Sequence, residues 1–241
     1  MPIEHNPNYI HHTDSGNAAD IRELVFGMED GMTSTLGAIT GIATATGDHF
    51  TVVLAGSVVI AVESISMAVG SYLSSKSERE IDERKLLEER IEIQKFPKEE
   101  TVEMMEMYIK DGWPKDLAET MATTAAKNEQ LLLKEMAYRE LHINPDNLEN
   151  PGRNAVIMFF SYIIGGAFPI TPYLVLPVYT ALPISIGVTL VGLFGLGVYT
   201  SRFSKRTWWR SGLEMLALAS AAAGVGYFVG QLVSSIWPEK M

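Results

Sequence analysis

The sequence predicts an all-α membrane protein in which five transmembrane helices carry a helical module between the second and the third. The first observation is that no charged residue occurs from Asn154 to Ser201, a stretch long enough for two spans of about 20 residues each. The second is the stretch from Glu63 to Met107, where an apolar segment passes into a carboxylate-rich one without glycine or proline between Gly70 and Pro97. The third is the mean hydropathy of +0.10, which suits membrane spans combined with a polar domain.

The N-terminal part divides into a polar tail, residues 1–20, and two spans within residues 21–75. The tail holds three of the five histidines, so a metal-binding tail and a disordered tail are both open. The first span counts from Leu24 and includes Asp30, and the second runs from Phe50 to Ser75 with Glu63 as its charged residue. Small residues recur every three or four positions in the first span, a stripe that permits close helix contact: Thr33, Gly37, Gly41 and Thr44.

Residues 76–150 form the polar module, in which we predict about three helices and no strand. A helix restarts at Pro97, since proline is well tolerated in the first turn of a helix. The sequence DGWPKD, from Asp111, ends that helix. One further helix is predicted over 117–143, and a segment rich in asparagine and proline then ends the module.

Residues 151–241 contain the last three spans and the signal that orients the protein. Pro169, Pro172 and Pro177 mark the predicted bend between spans three and four, and the last span runs from Met215 to Pro238. A basic loop at 202–210 precedes it, whereas the turn at 48–49 and the bend carry no lysine or arginine. By the positive-inside rule the basic loop is cytoplasmic, and counting back places the N-terminus and the 76–150 module there too.

Composition and missing motifs exclude several functional classes. The sequence has no cysteine, which excludes disulfides, zinc–thiolate sites, iron–sulfur clusters and thiol catalysis. The net charge of −10 argues against a nucleic-acid partner and for cationic ligands. The E-x-x-H, H-E-x-x-H, G-x-S-x-G and Walker lysine motifs are all absent. We therefore predict neither an enzyme nor a permanently bound cofactor, and any uphill transport is most simply driven by an ion gradient.

Two ionisable residues and a methionine stand out within the first two spans. An ionisable group inside a membrane costs several kcal/mol at most sites, about 2.5 or more, and usually faces a polar pathway. Asp30 and Glu63 fit that description, and Met67 follows Glu63 by one helical turn. A carboxylate beside a thioether suits a divalent ion of intermediate softness, Fe²⁺ or Mn²⁺. The alternatives are an interfacial Asp30, a Glu63 at a helix interface and a Met67 that only packs.

The module carries two glutamate pairs with i, i+3 spacing, which places both carboxylates of a pair on one helix face. The pairs are Glu89 with Glu92 and Glu100 with Glu103. A metal site and an ordinary solvated face remain open, because basic residues lie nearby in the sequence. Further along, Met136 and Glu140 form an i, i+4 thioether–carboxylate pair, with packing of Met136 in the module core as the alternative.

The chain resembles the vacuolar iron transporter family over roughly Leu24 to Ile236. The motifs that carry the resemblance are DGMTSTLGAITGIA from Asp30, ISMAVGSYLSSKSE from Ile65, IIGGAFPITPYLV from Ile163, and the acidic insert between spans two and three. The resemblance implies five-span protomers paired as a homodimer, with an ion pathway between the two copies of span one. It also implies proton-coupled export of Fe²⁺, and often Mn²⁺, from the cytoplasm. We expect the small-residue stripe of span one to form the dimer contact.

Site residues follow from the resemblance position by position. The family's span-one aspartate falls on Asp30 and its span-two methionine on Met67. Its cytoplasmic metal-binding residues fall on Glu89, Glu92, Glu100, Glu103, Met136 and Glu140, while a second methionine is replaced by Ala137. The span-two pathway glutamate of the plant proteins aligns with Val59, and Glu63, one turn away, is the candidate to take its place.

Together, these observations predict an antiporter that exchanges Fe²⁺ or Mn²⁺ for protons, with Asp30, Glu63 and Met67 along its path. Its partners are divalent ions, protons, the lipid bilayer and a second copy of the chain. It is an integral protein of the cell membrane in a prokaryote, or of a vacuolar-type membrane in a eukaryote. The alternative is a membrane-anchored metal-binding or metal-sensing protein that does not transport.

Overall fold

A computed structural model describes residues 18–204 and 206–236. These residues form helices and no strand, which confirms the predicted all-α class. The predicted polar tail lies outside the described residues up to position 17, including its three histidines. The eight described helices are α1 (Ala18–Thr46), α2 (His49–Lys95), α3 (Pro97–Lys110), α4 (Lys115–Ala125), α5 (Glu129–Arg139), α6 (Pro151–Val175), α7 (Val178–Ser204) and α8 (Trp208–Ile236).

The chain divides into two compact units. One unit is Leu73–Pro151, and the other comprises the described residues before and after it. Helix α2 contributes its apolar first part to the latter and its carboxylate-rich second part to the former. We refer to Leu73–Pro151 as the module and to the remainder as the spanning unit.

Four helices of the described residues are long and apolar enough to cross a bilayer: α2, α6, α7 and α8. Helix α1 has 29 residues, the same length as α8, but it carries several charges in its first half. It nevertheless packs against α7 and α8 within the spanning unit. The predicted fifth span therefore corresponds to a helix of sufficient length whose charges keep it below the apolar criterion.

The small-residue stripe of α1 packs against α8 of the same chain. A Cβ atom added to Gly37 would lie 3.3 Å from the Ala222 carbonyl oxygen, and one added to Gly41 would lie 2.8 Å from that of Gly226. Close backbone approach is what such stripes permit, because the dispersion contacts that replace lipid contacts require short distances. The prediction of close helix contact is confirmed, but the partner is a helix of the same protomer.

Helix α6 runs through two of the three prolines that we predicted to form the bend. Pro169 and Pro172 lie inside it, and the helix ends only at Val175, so the break falls at Leu176 and Pro177. An interior proline removes one backbone hydrogen bond, but a helix packed on its neighbours tolerates this loss. Pro177 cannot donate to the carbonyl of Tyr173, and the imidazole Nε2 of His49 lies 2.6 Å from that oxygen instead.

The module is built from the end of α2 and from α3, α4 and α5. The predicted start of α3 at Pro97 is confirmed. The single helix predicted over 117–143 is wrong, because the structure has α4 and α5 in its place. The break occurs at Asn128, whose side chain accepts hydrogen bonds from the backbone N–H groups of Gln130 and Leu131 and so caps α5.

Candidate metal sites

The turn between α2 and α3 brings the two glutamate pairs of the module together. Helix α2 ends at Lys95, and α3 begins two residues later at Pro97. The backbone N–H of Phe96 donates to the Glu92 carbonyl at 2.7 Å, and the N–H of Glu100 donates to the Phe96 carbonyl at 3.1 Å. This connection folds the chain back at one point, so residues shortly before and shortly after it become neighbours.

Glu89 is the centre of the resulting cluster. Its side chain is 3% exposed, and its Oε1 atom has no hydrogen-bond partner. Burial raises the pKa of Glu89 to about 8, and the neighbouring carboxylates of Glu140, Glu100, Glu92 and Glu103 raise it further in that order. All five glutamates predicted from the sequence therefore interact with one another through a single buried carboxyl group.

The two other perturbed members share the same environment. Burial raises the pKa of Glu100, as do the charges of Glu103, Glu92 and Glu140. Burial also raises the pKa of Glu140, followed by the charges of Glu103 and Glu92. In both cases a hydrogen bond with Glu89 opposes the rise. The cluster thus holds protons that a divalent cation would displace, because its charge stabilises the ionised carboxylates.

The ion pairs of α2 leave this cluster aside. They join Lys76 with Glu80, Arg79 with Glu83, and Arg84 with Glu88, each at i, i+4 spacing on the exposed surface. Among the described ion pairs, none includes one of the five cluster glutamates. A solvated face neutralised by its basic neighbours would show such pairs, so this arrangement favours the metal-site interpretation.

Met136 occupies the hydrophobic core of the module. It is fully buried and belongs to a cluster with Met104, Tyr108 and Leu132. Within residues 18–204 and 206–236, no three histidine, aspartate or glutamate side chains already form a metal-binding group. The glutamates must therefore draw together around an ion, and Met136 joins them only if its sulfur turns out of the core.

In the spanning unit, the three predicted pathway residues lie on α1 and α2. The Oδ1 atom of Asp30 accepts a hydrogen bond from the Ser34 hydroxyl at 2.9 Å. Glu63 is exposed on α2, Met67 is half-buried, and Val59 is half-buried one turn before Glu63. Glu63 is therefore not enclosed by other helices of its own chain.

Tyr162 of α6, which sequence reasoning missed, brings Asp30 and Glu63 into one environment. Both carboxylates act electrostatically on its hydroxyl group, and the hydroxyls of Ser34 and Thr35 lie beside it. Tyr162 is fully buried, and its hydroxyl has no hydrogen-bond partner. A tyrosine in an uncharged span gives no local signal of this role, because the contact depends on how α6 packs against α1.

Glu23 is a second buried carboxylate that sequence reasoning missed. Its side chain is 6% exposed, and its Oε2 atom accepts a hydrogen bond from the Ser71 hydroxyl at 2.7 Å. Arg22 pairs with its other oxygen at 3.2 Å. The signal was available in the sequence, since Glu23 precedes Asp30 by two helical turns and so lies on the same side of α1.

Apolar helices of bilayer length and a helical acidic module define the class as an all-α membrane protein. The chain belongs to the VIT family, whose family model matches residues 21–231. This is a family of transporters, so the predicted resemblance and the prediction that the chain is not an enzyme are both confirmed.

Named relatives match along most of their length. The chain is 27% identical over 226 residues to vacuolar iron transporter 1 of Arabidopsis thaliana, covering 92% of this chain and 90% of that protein. It is 28% identical over 232 residues to vacuolar iron transporter 1 of Oryza sativa subsp. japonica, with 96% and 90% covered. The vacuolar iron transporter of Plasmodium falciparum is 24% identical over 235 residues, with 93% and 85% covered.

Proposed function

We propose that the protein is a proton-coupled antiporter that exports Fe²⁺, and also Mn²⁺, from the cytoplasm. The observation that carries this proposal is the module cluster, in which five glutamates converge on a buried Glu89 whose pKa is raised to about 8. Such a cluster binds a divalent ion only by releasing protons, so it couples the two species chemically. Relatives named as vacuolar iron transporters support the choice of ion.

The module's role is to collect ions from the cytoplasm. Carboxylate oxygens suit Mn²⁺ and Fe²⁺, and a thioether from Met136 would favour the softer of the two. A site that must close around its ion, rather than a rigid one, releases it more readily, which suits delivery to a pathway. The ions are substrates, and no resident cofactor is required.

The spanning unit's role is to exchange metal for protons. Asp30 and Glu63 supply negative charge and Met67 supplies a softer ligand, which together match an ion of intermediate softness. Arrival of a divalent cation favours the ionised carboxylates, and its departure allows them to take protons from the opposite side. Because Val59 cannot carry a proton, Glu63 is assigned the role of the carboxylate that the plant relatives hold one turn earlier.

The proposed topology has five spans, with α1 as the first, and places the N-terminus and the module in the cytoplasm. The basic residues of 202–210 support this orientation through the positive-inside rule. The proposed functional unit is a homodimer with a pathway between the two copies of α1. Exposure of Glu63 on its own protomer supports a location at such a pathway, since an isolated charge facing lipid is costly.

The test is uptake of Mn²⁺ and Fe²⁺ by proteoliposomes, with and without a pH gradient. A transporter accumulates many ions per protein, and uptake grows when the interior is more acidic than the exterior. Saturation at a few ions per protein, independent of the gradient, would refute transport. It would establish instead the alternative of a membrane-anchored metal-binding or metal-sensing protein.

A further inference from the structure

Two buried hydroxyl groups of the spanning unit lack hydrogen-bond partners close to the proposed pathway. Tyr162 on α6 and Thr35 on α1 are both 0% exposed, and neither side-chain oxygen is bonded to another group. Leaving a buried hydroxyl unpaired costs about 1–3 kcal/mol, so each such group requires an explanation.

The packing of α1 on α6 holds these hydroxyls beside the pathway carboxylates. The two helices approach so closely that a Cβ atom on Gly31 would collide with the Tyr162 carbonyl oxygen, and one on Gly165 with that of Met28. At the same level, Asp30 and Glu63 act on the Tyr162 hydroxyl, and Thr35 lies beside it. Tyr162 and Thr35 therefore belong to the surroundings of both carboxylates.

A cation that crosses this region brings polar partners with it. Two carboxylates and one thioether fill only part of the coordination sphere of Fe²⁺ or Mn²⁺, so the ion keeps water molecules. Those waters need acceptors and donors inside an apolar unit, and a hydroxyl group can serve as either.

Resting on the proposed function, we propose that the Tyr162 and Thr35 hydroxyls are neutral contacts for the ion or its retained water at the Asp30–Glu63 site. They would complete the site with dipoles and add no charge, so a metal ion and two carboxylates remain close to electroneutral. Their unpaired state before the ion arrives is then a preparation for binding.

The same helix offers a matched control in Tyr173. It is also 0% exposed with an unpaired hydroxyl, but burial alone perturbs that hydroxyl and no charged group acts on it. Tyr162→Phe and Tyr173→Phe therefore remove the same group from similar burial, beside the carboxylates in one case and away from them in the other. Thr35→Val and Thr40→Val form a second matched pair on α1, since Thr40 is buried with an unpaired hydroxyl as well.

The experiment measures Mn²⁺ affinity, Mn²⁺ uptake and the thermal midpoint of the full chain. Binding is measured in detergent on a Glu100→Gln/Glu103→Gln background, so that the module contributes least. We expect Tyr162→Phe to weaken binding and uptake roughly tenfold, the effect of one hydrogen bond to a charged or ion-bound partner. We expect its thermal midpoint to stay at or above that of the parent, since an unpaired polar group has been removed. Tyr173→Phe should share the thermal effect and leave Mn²⁺ affinity unchanged.

The outcomes separate this inference from the proposed function. Equal Mn²⁺ affinities for the two phenylalanine variants would overturn the inference, even where the parent transports normally. A Tyr162→Phe variant that loses affinity together with thermal stability would also overturn it, because the hydroxyl would then be structural. A parent chain that takes up no Mn²⁺ refutes the proposed function, while the binding comparison in detergent still decides the role of the hydroxyls.

Discussion

Replacing Glu89 by glutamine should remove most of the pH dependence of metal binding by the module. The pKa of Glu89 is raised to about 8, so about 1% of this carboxyl is ionised at pH 6 and half at pH 8. If its proton must leave before the ion binds, apparent Mn²⁺ affinity rises about 50-fold between these pH values. The neutral amide cannot lose a proton, so the Glu89→Gln variant should bind more weakly at pH 8 and change little between pH 6 and pH 8.

The stability of the metal-free chain should change with pH in the opposite direction. The raised pKa means that the folded module keeps a proton on Glu89 that the unfolded chain loses near its ordinary pKa of 4.5. Stability is therefore greatest at low pH and falls as the pH rises from about 4.5 to 8. Glu89→Gln should flatten this decline, because glutamine resembles the protonated acid in shape and charge.

The assay is Mn²⁺ titration of the detergent-solubilised full chain at pH 6, 7 and 8, with thermal unfolding measured in chelator. Glu88→Gln is the matched control, since Glu88 is the adjacent residue but is exposed and paired with Arg84 at 3.9 Å. It should retain the parent's pH dependence in both measurements. Equal pH dependence of Mn²⁺ affinity in Glu89→Gln and the parent would refute the reasoning that a buried proton controls this site.

Three further predictions concern the spanning unit. Glu63→Gln should abolish uptake driven by a pH gradient and leave Mn²⁺ affinity of the module intact; uptake at the parental rate across pH values would make Glu63 structural. Gly31→Ala should destabilise the chain by about 1–3 kcal/mol, because the added methyl group meets the Tyr162 backbone, whereas Gly70→Ala, with no atom within 4 Å, should not lower the thermal midpoint. Gly37→Leu should lower the thermal midpoint by disrupting α1–α8 packing within one chain; a variant that instead dissociates at unchanged thermal stability would return the stripe to the dimer contact.

Local signals were sufficient for much of the fold. The long helix α2 follows from the absence of glycine and proline between Gly70 and Pro97, and Pro97 itself opens α3 as its preferred position predicts. Signals failed where tertiary context decides. Pro172 reads as a break but lies inside α6, and Asn128 reads as a helical residue but caps α5.

The candidate sites divide in the same way. Glutamate spacing identified the module cluster, because the i, i+3 pairs of α2 and α3 lie on either side of one short turn. Burial of Glu89 could not be predicted, since it depends on packing against the rest of the module. Tyr162 was invisible for a similar reason: only the close approach of α6 to α1 places it beside Asp30 and Glu63. The stripe on α1 predicted close packing but not its partner, which is α8.

The central claim is that metal moves in exchange for protons, and proton flux measured during metal uptake tests it most directly. Proteoliposomes with a pH-sensitive dye inside receive external Mn²⁺ at equal starting pH on both sides. The account predicts that the interior becomes more alkaline as Mn²⁺ enters, and that the Glu63→Gln variant shows neither change. Entry of Mn²⁺ with no change in internal pH, under conditions where the membrane potential is clamped, would contradict the exchange.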